Sequence, residues 1–129
     1  MRAPFKAGLF REDGDTVRFL GARCPACGQV HYPRPRACLA CGAEGLAEVE
    51  LGPSGELFSF SVVHMPAAGL KPPFAVGYAT LPEGVRIFAP VDAPPDALRV
   101  GAPVEARSFV LRREGEAETI AYRFVLRGA

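Results

Sequence analysis

Two closely spaced pairs of cysteines constrain this chain more than any other feature of its sequence. The four residues are Cys24, Cys27, Cys38 and Cys41. A gap of two residues within each pair allows a tight turn to direct both sulfurs toward one ion. A glycine follows each pair, Gly28 and Gly42, and permits the left-handed backbone that closes such a turn. The spacing therefore predicts a site in which four thiolates hold one metal ion.

Four thiolates form the tetrahedral ligand set that zinc prefers in structural sites, and they leave no position open for water or substrate. We expect the ion to stabilise a segment too small to fold alone. Zinc is the expected metal, and iron in a rubredoxin-like site accepts the same ligands. Disulfide bonds and redox-active pairs are the alternatives. The first residues lack the apolar stretch of a secretory signal, which favours reduced thiols and a cytoplasmic protein.

Three zones of different composition divide the chain. Residues 1–15 are a polar arm whose apolar residues have near-helical spacing, which predicts a short helix of at most about two turns. Residues 16–52 contain every cysteine and form the predicted zinc ribbon. Residues 53–129 form the predicted barrel. The arm either packs on its own chain or binds a partner, and the sequence leaves both open.

The third zone alternates apolar and polar residues with a period of two, which is typical of half-buried strands. Turn sequences at residues 82–84 and 114–116 predict two hairpins. In the first strand of this zone, Phe58, Phe60 and Val62 are predicted to face the core. About five strands without a strong helix indicate a mainly β chain and favour a closed five-stranded barrel of the OB type. A sandwich is the alternative.

Arginines are concentrated in the ribbon, where residues 16–43 include no acidic side chain. They are Arg18, Arg23, Arg34 and Arg36. In one interpretation, these cations offset the negative charge of a metal–tetrathiolate centre. In the other, they form a patch that binds a phosphate-bearing ligand or an acidic partner.

Neither histidine completes a recognisable catalytic set. His31 lies beside the cysteines, where a fifth ligand is surplus, and His64 follows a predicted strand, so we expect surface or packing roles. The sequence contains no nucleophile with an evident base and orienting group, and no glycine-rich phosphate-binding loop. We therefore expect a protein that is not an enzyme.

Net charge and hydropathy limit the classes of partner. A formal net charge of +1 gives no general attraction for nucleic acid. Single-stranded nucleic-acid binding by an OB barrel is the alternative function, but most barrel aromatics fall on the predicted inner face, away from any stacking ligand. No apolar run approaches the ~20 residues that cross a bilayer, so we expect no membrane contact.

The order of these motifs resembles a family of unknown-function domains that pairs a rubredoxin-like zinc ribbon with a C-terminal OB-fold and is called acyl-CoA-associated. The resemblance rests on the two cysteine pairs, on YPRPR between them (residues 32–36), and on GELFSFSVVH at the start of the barrel (residues 55–64). The segments LPEGVR (residues 81–86) and GAPVE (residues 101–105) follow in the family order.

The resemblance implies a non-catalytic accessory subunit that accompanies a thiolase-like or hydratase-like enzyme acting on acyl-CoA. It implies that the ribbon and the arm dock this enzyme, while the barrel helps to cover the CoA portion of the thioester. Family members have a longer N-terminal helix than the present arm, which breaks at Gly14. The family's metal ligands correspond to Cys24, Cys27, Cys38 and Cys41.

Overall fold

The chain is built almost entirely of β-strands within residues 2–66 and 70–127, the parts that the computed structural model describes. Met1 of the predicted arm and residues 67–69 and 128–129 of the predicted barrel lie outside these ranges. The one helix within them is a 3-10 turn at Pro95–Ala97, and none of them forms a helix able to span a bilayer. The strands are β1 (Arg2–Pro4), β2 (Phe10–Asp13), β3 (Thr16–Arg23), β4 (Val30–His31), β5 (Ala47–Leu51), β6 (Ser54–Val63), β7 (Phe74–Thr80), β8 (Arg86–Asp92), β9 (Pro103–Glu114) and β10 (Ala117–Leu126).

Strands β6 to β10 close into a five-stranded barrel. β7 lies antiparallel between β6 and β8, and β8 meets β10 in parallel. β10 then pairs with β9, and β9 returns to β6, so every barrel strand has two neighbours within the barrel. Both predicted hairpins are present, as β7–β8 and β9–β10. The predicted OB-type barrel is therefore confirmed, and the sandwich alternative does not apply.

β3 is the central strand of the ribbon. It pairs with β2 and β4 along one edge and with β5 along the other. Gly21 lies where β4 and β5 flank β3, and a Cβ atom there would stand only 2.7 Å from the His31 carbonyl oxygen. This close approach requires glycine. The ladder continues into the barrel at Thr16, which pairs with Arg107 of β9.

The ribbon and the barrel share one hydrophobic core. Phe19 of β3 is fully buried, and its ring centroid lies 4.9 Å from that of Tyr122 and 6.1 Å from that of Phe124 in β10. Leu51 of the ribbon belongs to the same buried cluster as Leu57 of the barrel. Because these side chains pack together, the ribbon strands β3 and β5 rest directly on the barrel.

The short helix predicted in residues 1–15 is wrong, because residues 2–15 contain the strands β1 and β2 and no helix. β1 pairs in parallel with β10, and the Phe5 N–H donates to the Ile120 carbonyl over 2.7 Å. The Phe5 ring stacks on Phe10 and meets Tyr122 edge-on. A helix of two turns is marginal alone, whereas the edge of β10 offers backbone hydrogen bonds to an extended segment. The arm packs on its own chain.

The predicted inner face of β6 is wrong at Phe58. Leu57 is 1% exposed, whereas Phe58 is 47% exposed. The pairing register with β7 shifts between Leu57 and Ser59, which marks a β-bulge. A bulge inserts one extra residue and changes the face on which the following side chains lie. Phe60, beyond the bulge, is half-buried and packs against the core as predicted.

Candidate metal centre

Two backbone turns of the same design position the four thiols. The Gly28 N–H donates to the Cys24 carbonyl over 2.8 Å, and the Gly42 N–H donates to the Cys38 carbonyl over the same distance. The φ angles of Gly28 and Gly42 are 78° and 80°. These values lie in the left-handed region that glycine adopts without steric cost. Each turn therefore holds the two sulfurs of one pair on the same side of the backbone.

The fold brings the two turns together and gathers the four sulfurs into one cluster. All four Sγ atoms lie within 4.8 Å of one another. The Cys24 and Cys41 sulfurs are 3.5 Å apart, and those of Cys27 and Cys38 are 3.6 Å apart. A tetrahedral zinc ion with Zn–S bonds of about 2.3 Å separates its ligand sulfurs by about 3.8 Å. The cluster fits this geometry, and the cysteines are free thiols rather than disulfides.

The two cysteines of each pair have different surroundings. Cys24 and Cys38 are buried, while Cys27 and Cys41 are exposed. The backbone N–H of Cys27, assisted by that of Ala26, lowers the pKa of Cys24. A lowered pKa favours the thiolate, which is the form that binds metal. The first cysteine of each pair therefore lies on the buried side of the site, and the second lies on the side that faces solvent.

A buried histidine of β4 contacts the cluster of sulfurs. The Nε2 atom of His31 lies 3.3 Å from the Cys38 sulfur, and this contact is the main cause that lowers the pKa of Cys38 to about 5. A thiolate accepts hydrogen bonds, so the contact requires the ring proton on Nε2. The sequence predicted only a surface or packing role for His31. Its place between the cysteine pairs puts His31 near the cluster, but no local pattern in the sequence predicts the contact. His64 is exposed.

The four candidate arginines do not form one free patch. The half-buried Arg18 donates to the Gly52 carbonyl over 2.9 Å. Arg34 forms an exposed ion pair with Glu48, with an N–O distance of 3.1 Å. Arg23 and Arg36 are exposed, and within the described ranges neither pairs with a carboxylate. Two of the four cations are therefore engaged by their own chain, and two are available to a ligand.

Comparison with known proteins identifies the family that shares this architecture. Two family models match consecutive parts of the chain: the ChsH2 rubredoxin-like zinc ribbon domain over residues 11–47, and the ChsH2 C-terminal OB-fold domain over residues 48–109. A DUF35 domain-containing scaffold protein of Methanothermobacter thermautotrophicus is 34% identical over 119 residues, which cover 89% of this chain and 90% of the relative. This chain belongs to the DUF35 family.

Two further proteins similar to this DUF35 chain are described as parts of enzyme complexes. The benzoylsuccinyl-CoA thiolase subunit BbsA of Thauera aromatica is 40% identical over 83 residues. The match covers 64% of the DUF35 chain but only 58% of BbsA, so the chain spans less than two-thirds of this relative. A chain of the solved Ltp2-ChsH2(DUF35) aldolase matches with a TM-score of 0.66 and 28% identity, covering 82% of this chain and 84% of that one.

Proposed function

We propose that this DUF35 chain is a non-catalytic accessory subunit that binds an acyl-CoA enzyme of the thiolase, hydratase or aldolase type. The main support is the match, over about nine-tenths of both chains, to a relative described as a scaffold protein. BbsA is named as a thiolase subunit, and the ChsH2 chain is named with Ltp2 as an aldolase. On this proposal, the chain acts by holding an enzyme rather than by transforming a substrate.

The proposed metal is one zinc ion per chain, held by four thiolates and serving a structural role. The proposed ligands are Cys24, Cys27, Cys38 and Cys41. A closed set of four protein ligands leaves no site at the ion for substrate, so its contribution is to fix the two turns. Iron fits the same donors, and metal analysis of the purified chain distinguishes the two.

The proposed division of the chain follows its sequence zones: an arm at residues 1–15, a ribbon at residues 16–52 and a barrel at residues 53–129. We place the protein in the cytoplasm, because free thiols and zinc–thiolate sites persist in a reducing compartment. The four free cysteines support this location.

The test of the proposed function is co-purification from the native host. The full chain carries an affinity tag, and bound proteins are identified by mass spectrometry. We expect a thiolase-like, aldolase-like or hydratase-like enzyme in an amount comparable to the tagged chain. Recovery of nucleic acid without such an enzyme would contradict the proposal.

We further propose that Arg23 and Arg36 contribute to binding the enzyme or the CoA portion of its thioester, because both guanidinium groups are exposed and unpaired within the described ranges. The variant Arg23→Glu plus Arg36→Glu tests this in the purified complex, by titration with CoA and by affinity for the enzyme. The matched control is Arg112→Glu, an exposed arginine of β9 that pairs with Glu114. Unchanged binding with lowered stability would favour the charge-offset interpretation of these arginines.

Single-stranded nucleic acid is the second candidate ligand, and one observation favours it. Phe58, Tyr78 and Phe88 are exposed on neighbouring barrel strands, a position from which aromatic side chains can stack on bases. Gel-shift measurements across a salt series test this candidate, because phosphate contacts make binding steeply salt-dependent. Binding at physiological salt would support it.

A further inference from the structure

The outer surface of the barrel is largely apolar at strands β7 and β8, whereas a surface that faces solvent is expected to be polar. On β7, alternate residues are buried, so Phe74, Val76 and Tyr78 lie on the outer side. On β8 the same alternation places Phe88 and Pro90 outward. Antiparallel strands with one solvated face normally alternate apolar and polar residues, whereas strands covered on both faces are apolar throughout. The central residues of β7 and β8 follow the second pattern, and the polar outward residues Thr80, Arg86 and Asp92 lie at the strand ends.

Aromatic side chains and an arginine form the centre of this surface. The Tyr78 and Phe88 rings have centroids 5.0 Å apart, and the two residues are directly paired across β7 and β8. The bulge in β6 turns Phe58 outward, and the Arg86 guanidinium lies 3.8 Å from the centroid of its ring. The three aromatic residues are 44% to 52% exposed. Tyrosine, phenylalanine and arginine are enriched in protein–protein interfaces, and tyrosine and arginine among the residues that dominate their binding energy.

An apolar cavity continues this surface toward the arm. Its volume is about 200 Å³, and its lining includes Phe5, Phe88, Phe109 and Tyr122. Phe88 belongs to both the cavity and the aromatic cluster, so the two are continuous. The Arg123 guanidinium lies 4.8 Å from the centroid of the Phe109 ring and pairs with Asp92. In protein complexes, the side chains that dominate binding typically fill pockets of the partner.

We propose that this surface, the barrel face, docks the acyl-CoA enzyme. The barrel face consists of Phe58, Tyr78, Arg86 and Phe88 together with the cavity. One apolar side chain of the enzyme enters the cavity, and a carboxylate of the enzyme lies opposite Arg86. This inference rests on the proposed function and adds to it the surface that makes the contact.

Charge supports a protein occupant over a nucleic acid. Arg86 donates to the Thr80 hydroxyl and forms no ion pair within residues 2–66 and 70–127, so a carboxylate from outside complements it. Arg123 is already paired with Asp92. Glu56 is exposed and paired with Thr80 in the sheet, so it places a negative charge near Arg86. A face with one unpaired guanidinium and a carboxylate two strands away is a poor match for a chain of phosphates.

Site-specific cross-linking in the native host tests the barrel face. The photoreactive residue p-benzoylphenylalanine replaces Phe88 in one full-length variant and Tyr78 in another. A third variant carries it at Leu39, which is 82% exposed in the second cysteine turn and reports on docking through the ribbon. Cross-linked proteins are identified by mass spectrometry, and samples that are not irradiated serve as controls.

The expected result is a cross-link from positions 88 and 78 to a thiolase-like, aldolase-like or hydratase-like enzyme. A cross-link to that enzyme from position 39 alone would overturn the barrel face while leaving the proposed function intact. Co-purification of the enzyme without a cross-link from positions 88 and 78 would overturn the barrel face, and failure of the enzyme to co-purify would overturn both. Cross-links from positions 88 and 78 to a second copy of this chain, or to nucleic acid, would overturn the assignment of the occupant.

Affinity measurements with the captured enzyme provide a second readout. Phe88→Ser and Tyr78→Ser should each weaken binding by at least about tenfold, the loss typical of interface anchors. Leu39→Ser is the matched control, because it also removes an exposed apolar side chain but lies in the ribbon. Circular dichroism verifies that each variant is folded. Equal affinity of the Phe88→Ser, Tyr78→Ser and unaltered chains would contradict the barrel face.

Discussion

At the scale of single residues, some features of the metal centre can be predicted from the sequence and others cannot. The four cysteines follow from their spacing, because a two-residue gap and a following glycine dictate a turn by local backbone geometry alone. The contact between His31 and Cys38 does not follow from spacing, because it depends on how β4 packs beside the second turn. Sequence reasoning therefore identified the cluster of thiols and missed the histidine that supports it.

Replacement of one cysteine should release the metal. We expect Cys38→Ser to lower the zinc content of the purified chain from about one ion toward zero, because a serine hydroxyl is a poor substitute for a thiolate ligand. Elemental analysis of freshly purified, reduced protein measures this. Full retention of zinc by the variant would show that Cys38 is not a ligand.

Loss of the supporting histidine should weaken the site without abolishing it. His31→Ala should lower zinc affinity by about 10- to 100-fold, the range found when outer-shell partners of metal ligands are removed. Competition with a chromogenic chelator measures the affinity. His64→Ala is the matched control, because His64 is the other histidine of the sequence and is exposed. Equal affinities of the two variants would contradict a supporting role for His31.

At the scale of elements, β3 connects the metal centre to the barrel. Its N-terminal half carries Val17 and Phe19 into the shared core, and its C-terminal end leads into the first cysteine turn at Cys24. Its packing against β10 was not predictable, because contacts between residues about a hundred positions apart leave no local signal in a single sequence.

Truncation of Phe19 should destabilise the ribbon and the barrel together. We expect Phe19→Ala to lower the free energy of unfolding by about 3–5 kcal/mol, the usual cost of removing a fully buried aromatic ring. Chemical denaturation followed by circular dichroism measures this change. Leu39→Ala is the control and should change it by less than about 0.5 kcal/mol, because Leu39 is largely exposed. Two separate transitions, with only one displaced, would contradict a shared core.

In the arm and in β6, the spacing of apolar residues was not sufficient to predict the structure. The apolar residues of the arm match a helix, but pairing with β10 satisfies its backbone and makes the segment a strand. In β6 the strand was predicted, but one bulge reverses the orientation of Phe58. Both errors arise because a neighbouring strand, rather than the segment itself, determines the outcome.

At the scale of the whole molecule, we expect the core and the metal centre to stabilise different parts of the chain. Removal of zinc by a chelator should accelerate amide exchange in the two cysteine turns, where the Gly28 and Gly42 N–H groups are hydrogen-bonded. The strands β6 to β10 should keep their protection, because the shared core does not require the ion. Hydrogen exchange measured by mass spectrometry, with and without chelator, provides the comparison. Loss of protection throughout the barrel would show that the metal stabilises the entire fold.

The shared core also affects how such chains can be recombined. A ribbon transplanted from a relative brings its own side chain to the place of Phe19, where it meets Tyr122 and Phe124 of the host barrel. A chimera joined at the boundary between the two modules would therefore carry a mismatched contact in its centre. Exchange of ribbons should succeed only with compensating substitutions on β10, and the three positions should covary among relatives.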